Sequence, residues 1–194
     1  MTTIEEIIAV MLGVIAVFLS TRQNVWTFPL GIISVFLYIE IFYDVKLYAD
    51  MGLQVFFIVL QVYGWYEWLY GGENKTMLHV TRIPVRSGGI CIVIVVAGTI
   101  VLGYTLHRLT DASLPYIDSL LAVLSMVAQW MLARKYLENW TIWAVVNVGS
   151  ILMYAYKELY FTTILYGVYL ILAVMGYREW KKQLSLRYHH SVYN

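Results

Sequence analysis

Seven long apolar runs dominate the chain, at residues 4–20, 25–43, 48–70, 87–104, 117–133, 140–156 and 160–178. A helix needs about 20 mostly apolar residues to cross the hydrocarbon core of a bilayer. Each run approaches that length. Transmembrane β-strands are only about ten residues long and alternate in polarity, so these longer, continuous runs exclude a barrel. Composition agrees: 61% of residues are hydrophobic and 13% charged, against about a quarter charged in a soluble domain. Mean hydropathy is +0.70. The expected fold class is an all-α integral membrane protein with seven transmembrane helices. The leading "MTTIEE" is acidic rather than basic, and no clear small-residue cleavage site follows, so the first run is expected to be a retained span and not a signal peptide.

Basic residues set the orientation, because cytoplasmic loops carry the excess of Lys and Arg. With seven spans, ten of the thirteen fall on one side, including Arg22, Arg82, Arg134, Lys135 and Lys181. Lys46, Arg108 and Lys157 fall on the other. The sequence therefore predicts an outside N-terminus and a cytoplasmic C-terminus. An even number of spans would spoil this separation. The net charge of +1 carries no nucleic-acid signature. The single cysteine, Cys91, lies in an apolar run, cannot form an internal disulfide and reads as inert packing.

The chain also repeats itself. "LYADMGLQVFFIVLQVYGWYEW" (47–68) aligns without a gap on "LYFTTILYGVYLILAVMGYREW" (159–180), at an offset of 112 residues. Gly64 meets Gly176, Glu67 meets Glu179 and Trp68 meets Trp180. Apolar composition explains Leu on Leu but not a shared G-x-x-E-W ending. Segments one to three thus correspond to five to seven, and segment four, after the polar loop 71–89, stands between them. One intervening helix sends both triplets into the membrane in the same direction. Such parallel repeats are a transporter design, with the substrate near the midplane between the halves. The domains expected are a first repeat at 1–70, a loop plus linker helix at 71–115 with the helix at about 87–104, a second repeat at 116–182 and a cytoplasmic tail at 183–194.

Polar residues within the spans line up on helix faces. Trp143, Asn147 and Tyr154 stand at i, i+4 and i+11, within about 40° at 100° per residue. Gln54, Gln61 and Trp65 share a face of segment three, Asp118, Ser125 and Gln129 a face of segment five, and Tyr166, Ala173 and Tyr177 a face of segment seven. One amide in a membrane helix often serves only to tie helices together, for about 1 kcal/mol. Several amides and rings on both repeats instead describe a polar, aromatic-walled cavity. Amides read hydroxyls and carboxamides, and ring faces stack on flat groups and attract cations by about 0.5–2 kcal/mol. Such a cavity suits a planar, cationic, hydroxyl-bearing small molecule better than an inorganic ion.

Glu40, in "FLYIEIFYD", is the carboxylate well inside a span, and intramembrane ionisable residues are functional candidates by default. No second buried acid or base pairs with it, so facilitated diffusion is expected and not ion coupling. Trp26, Trp68, Trp140 and Trp180, near span ends, are expected in the interfacial belt. The loop 71–89 and the tail after Lys182 read as solvated connectors. Pro29, near the start of segment two, is in a position where proline is usually harmless. An enzyme is not expected: His79, His107, His189 and His190 fall in predicted loops or tail, and no catalytic motif lies within the spans. No cofactor or metal site is expected.

Taken together, W-x3-N-x6-Y (Trp143, Asn147, Tyr154), "LYADMGLQVFF", "YGWYEW" and "LARKYLENW" resemble the PnuC family of bacterial vitamin-precursor transporters. The resemblance covers all seven segments. It implies a 3+1+3 helix arrangement similar to SWEET-type sugar transporters, and a homotrimer. It implies import of nicotinamide riboside across the inner membrane by facilitated diffusion, made one-way by a cytoplasmic kinase that phosphorylates the substrate. Trp143 and Tyr154 would then frame the pyridinium, Asn147 would bond the carboxamide or ribose, and Gln54 and Gln61 would complete the polar set, with Tyr166, Gln129 and Glu40 as further site candidates. Thiamine transporters of the same family often carry an acid at the position of Asn147. The neutral amide favours nicotinamide riboside, while Glu40 could supply a compensating charge for thiamine. The alternative from another class is a ligand-free helical membrane assembly protein whose amides only join helices.

Overall fold

The computed structural model describes residues 4–44, 48–110 and 113–193. It contains seven α-helices, α1 (Ile4–Thr21), α2 (Thr27–Asp44), α3 (Tyr48–Tyr70), α4 (Val85–Leu109), α5 (Pro115–Ala133), α6 (Asn139–Tyr156) and α7 (Tyr160–Tyr193), with a 3-10 turn at Glu73–Lys75. All seven expected segments are helical. Pro84 caps α4 and Pro115 opens α5, where the missing N–H has no intrahelical partner to lose. Three helices end in the same cap. Gln23, Lys135 and Glu158 adopt positive φ of 54°, 51° and 60°. The following amides, of Asn24, Tyr136 and Leu159, reach back to Leu19, Met131 and Tyr154, satisfying carbonyls at the helix ends.

Six helices close a ring. α1, α2 and α3 pack in sequence, as do α5, α6 and α7; α3 then meets α5 and α1 meets α7. α4 lies outside and packs on α5 around Cys91, Val127, Met131 and Tyr136. By length and composition α1, α4, α5 and the 160–186 part of α7 could each cross a membrane, and α2 carries a shorter apolar stretch, Thr27–Ile41. α3 and α6 are more polar, and part of that polarity faces the ring's interior: Gln54 and Gln61 from α3, Asn147 and Tyr154 from α6.

The expected tryptophan belt is corrected. Trp26 is exposed, but Trp68, Trp140 and Trp180 are at most 2% exposed and form the core with Phe28. They sit at the end of the bundle that holds most basic residues, here termed the basic end. Trp68 lies 4.9 Å edge-on to Phe28 and 5.9 Å from Trp180, which meets Trp140 edge-on at 5.4 Å. Two indoles bridge the triplets where neighbouring helices meet: Trp68 Nε1 donates to the Leu132 carbonyl and Trp180 Nε1 to that of Ser20, both at 3.1 Å. A belt is favoured for an indole whose N–H needs water; the N–H groups of Trp68 and Trp180 find carbonyls inside the protein, and Trp140 is held by packing on Trp180.

Two further boundaries differ from expectation. α4 extends to include His107, and α7 runs on as one helix to Tyr193, since "KKQLSLRYHHSVY" contains neither Gly nor Pro to stop it. The segment 71–84 is not a free connector. Val80 is buried, the Thr81 amide donates to the Lys135 carbonyl and the Thr81 carbonyl accepts from the Leu137 amide on the α5–α6 turn, and the Ile83 amide donates to Glu138. Lys135, 2% exposed, donates from Nζ to the Leu78 carbonyl at 2.9 Å and stands 4.4 Å over the Trp68 ring. Arg134 pairs with Glu67 at 2.9 Å.

Candidate functional site

The ring encloses a cavity of about 1010 Å³. Toward the basic end it stops on Phe28, Leu132 and Trp140, the upper layer of the aromatic core. At the opposite end Glu6, Asp118 and Lys157 stand at its margin, Lys157 Nζ lying 3.5 Å from Asp118.

Seven of the eight site residues expected from sequence line this cavity: Gln54 and Gln61 from α3, Gln129 from α5, Trp143, Asn147 and Tyr154 from α6, and Tyr166 from α7. Helical periodicity put them on common faces, and ring closure turned those faces inward. Glu40 does not join them. The cavity face of α2 carries Phe28, Gly31, Ser34 and Tyr38, and Glu40, two residues past Tyr38, points to the opposite side and is exposed. Trp65 is exposed on the outside of α3, and Tyr177 packs beside the aromatic core rather than in the cavity.

Asn147 is 4% exposed and Gln61 7% exposed. Among the described residues, no protein group hydrogen-bonds the carboxamide of Gln54, Gln61, Gln129 or Asn147. Buried amides normally find partners, so Gln61 and Asn147, together with the half-buried Gln54 and Gln129, are held facing a space that a polar solute can fill. Tyr154 and Tyr166 stack at 5.3 Å with planes 20° apart, and Tyr169 meets Tyr166 edge-on at 6.1 Å. The Tyr166 hydroxyl is in hydrogen-bond contact with Tyr154 and Ser150. With Trp143, these rings make the α6–α7 wall aromatic.

Residues that sequence reasoning passed over also line the cavity, among them Gly31, Ser34, Tyr38, Ser150 and Tyr169. Ser34 and Tyr38, spaced i, i+4 on α2, and Tyr166 and Tyr169, spaced i, i+3 on α7, carried the same periodic signal as the amides. Hydroxyls and tyrosines are common in membrane helices, and the signal did not stand out.

Among the described residues, the charged groups at the cavity margin are Glu6, Asp118 and Lys157, which sum to one negative charge, and the lysine faces an aspartate. The site therefore suits a neutral or cationic solute.

Comparison with known proteins agrees. Residues 3–182 match the family described as nicotinamide mononucleotide transporter. The nicotinamide riboside transporter PnuC of Escherichia coli K12 is 27% identical, over 90% of this chain and 84% of its own. The protein of the same name from Neisseria mucosa is 30% identical, over 90% of this chain and 71% of its own. The crystal structure of the vitamin B3 transporter PnuC superposes with a TM-score of 0.71 at 28% identity, covering 92% of this chain and 80% of that one. These likenesses run through the helices that carry the cavity, and they bear out the resemblance read from the sequence. A multi-pass helical ring around a solute-sized, amide-lined cavity, matched over nearly its full length, belongs to the nicotinamide mononucleotide transporter family, and the chain is a membrane transporter, not an enzyme.

Proposed function

We propose that this chain is a uniporter for nicotinamide riboside in the cytoplasmic membrane. The observation that carries the reading is the set of four carboxamides facing the cavity without protein partners among the described residues. Amides that only joined helices would be bonded to them. The pyridinium cation suits the Trp143, Tyr154 and Tyr166 wall, and the riboside's hydroxyls and carboxamide suit Asn147, Gln54, Gln61 and Gln129. The family's name refers to the mononucleotide, but among the described residues a phosphate would meet Glu6, Asp118 and a Lys157 already paired with Asp118. The charge balance favours the riboside.

The two triplets are read as parallel repeats in a 3+1+3 arrangement, similar to SWEET-type transporters. Matches at the 112-residue offset support this. The acceptors of the two bridging indole bonds, Ser20 and Leu132, are 112 apart, as are Trp68 and Trp180 themselves. So are the positive-φ caps Gln23 and Lys135. Gly64 lies against Phe28 and Gly176 against Trp140, again the same pairing shifted by 112. The basic end is read as cytoplasmic, with the N-terminus outside, so this closed-end geometry faces outward. Phosphorylation by a cytoplasmic kinase makes net flux inward, and the working unit is a homotrimer.

Thiamine is the competing substrate. Its case leaned on Glu40 as a compensating charge, and Glu40 stands outside the cavity. The test is thermal stability of the purified protein with nicotinamide riboside, nicotinamide mononucleotide, thiamine and riboflavin, since a ligand of the folded state raises stability by RT ln(1 + [L]/Kd). A shift with nicotinamide riboside that weakens about ten-fold in Asn147→Ala or Trp143→Ala supports the reading. A shift with thiamine alone moves the substrate, and no shift with any of them refutes the reading.

A further inference from the structure

Gly31 is a buried glycine in the middle of α2, lining the cavity. Its backbone does not require glycine, since no glycine among the described residues has positive φ. Glycine is the poorest ordinary residue for a helix interior. A packing reason is needed, and one is present: a Cβ at Gly31 would overlap Oε1 of Gln61 and stand 3.1 Å from its Cδ. Gly52 and Gly167, by contrast, would meet nothing within 4 Å. The Gln61 carboxamide lies in the groove that the missing side chain leaves on α2.

The same positions in the second triplet carry the opposite assignment. Gly31 corresponds to Trp143 and Gln61 to Ala173. One triplet is small on its second helix and large on its third; the other is large on its second and small on its third. All four residues line the cavity. Two related triplets with identical residues here would give the cavity two like walls, and a ligand two equivalent orientations. The exchange gives one wall an indole and the other a carboxamide.

We infer that Gly31 is a positioning residue for substrate recognition: it seats Gln61 as the amide wall opposite Trp143, and this pair of volume exchanges fixes the ligand in a single orientation. The inference rests on the repeat and on the ligand reading proposed above. A ring-bearing solute lays its flat group on Trp143 and turns a hydrogen-bonding edge to Gln61. A methyl group at position 31 drives the Gln61 amide out of its groove, so the ligand loses that contact although Gln61 is still present.

The test is a four-protein cycle: wild type, Gly31→Ala, Gln61→Ala and the double variant, each measured for ligand-free thermal midpoint and for nicotinamide riboside affinity. Gly31→Ala and Gln61→Ala should each weaken binding about ten-fold, and the double variant should be no weaker than Gln61→Ala. Gly31→Ala should change the ligand-free midpoint little, because the displaced atom ends a flexible side chain and alanine is the better helix former, and the same methyl should raise the midpoint in the Gln61→Ala background, where the overlap is gone. Wild-type affinity in Gly31→Ala, or losses that multiply in the double variant, would overturn the inference. If Gly31→Ala cannot be purified, Gln61→Ala against the double variant decides. Equal affinity with no loss of midpoint supports the inference, and a further loss on adding the methyl refutes it. If nicotinamide riboside fails to bind the wild type, the ligand reading falls, while the ligand-free midpoints still decide whether Gly31 acts through Gln61.

Discussion

The bridging indole bonds at the basic end carry a quantitative prediction about opening. Trp68→Phe and Trp180→Phe each keep a ring in the core but remove one N–H donor. The acceptor carbonyls are not stranded, because Leu132 also accepts from the Lys135 amide and Ser20 from the Gln23 amide, both at 3.0 Å. The cost of each deletion is then that of a satisfied hydrogen bond, about 1 kcal/mol. If the basic end opens by separating the two triplets, both bonds break in that step. Each deletion should raise the open population about five-fold, and the two together about 30-fold. Trp140 supplies the control. Its Nε1 is buried without a partner among the described residues, so Trp140→Phe removes a similar volume and no bond. The assay is labelling of Ser125→Cys in a Cys91→Ala background by a thiol reagent supplied from the basic side. Ser125 lines the cavity, and its hydroxyl bonds only its own helix, to the Leu121 carbonyl. Labelling should accelerate in Trp68→Phe and Trp180→Phe well beyond Trp140→Phe. Thermal destabilisation with unchanged labelling in all three would show that these bonds only stabilise the fold, and the gating argument would fail.

Other perturbations test the packing beneath the site. Burial pushes the Lys135 amine down to about 8, so the unfolded chain binds more protons between pH 8 and its ordinary value of 10.5. Stability should rise with pH across that window by about 1–3 kcal/mol, the Trp68 ring offsetting part of the burial cost, and Lys135→Met should flatten the thermal-midpoint profile. Gly176→Ala would bring a Cβ to 2.5 Å from the Trp140 ring and Gly64→Ala one to 2.6 Å from Phe28. Both should cost about 1–3 kcal/mol by overpacking, whereas Gly167→Ala, with open space, should be neutral or stabilise by up to about 1 kcal/mol in thermal melts. Glu67→Gln removes the partner of a half-exposed Arg134 and should cost less than about 1 kcal/mol by the same measurement.

Much of the fold was legible because hydrophobic length and helical period are local properties. Every helix was placed, and the amides of α3, α5 and α6 pointed inward as their spacing implied, although Trp65, read onto the α3 amide face, turned outward. The failures were of another kind. A tryptophan near a span end reads as interfacial unless its N–H partner is known, and the partners of Trp68 and Trp180 lie 64 and 160 residues away in the chain. The segment 71–84 is polar in sequence, yet its backbone finds bonds on the α5–α6 turn that composition does not reveal. Glu40 misled because depth along a helix was weighed and rotation about it was not; counting from Tyr38 would have placed it outside. Gly31 was silent because glycine in a membrane helix is common, and its meaning appears only beside Gln61.

The likenesses and differences between the two triplets divide by location, and the division has a mechanical sense. At the basic end the halves match: indole to carbonyl, positive-φ cap and glycine under an aromatic ring all recur at one offset. On the repeat reading proposed above, matched contacts would let the two triplets rock against each other with similar cost on both sides. In the cavity the halves differ. Gly31 stands against Trp143, Gln61 against Ala173 and Val35 against Asn147. A small solute without two-fold symmetry cannot be read well by two identical walls, and each unmatched amide would be left unpaired at a cost of about 1–3 kcal/mol. Exchanging large for small between the halves holds the cavity volume while giving the walls different chemistry. On this reasoning, substitutions that restore symmetry in the cavity, such as Asn147→Val, should spare folding and cost binding, whereas substitutions that break symmetry at the basic end should spare binding and alter the opening rate.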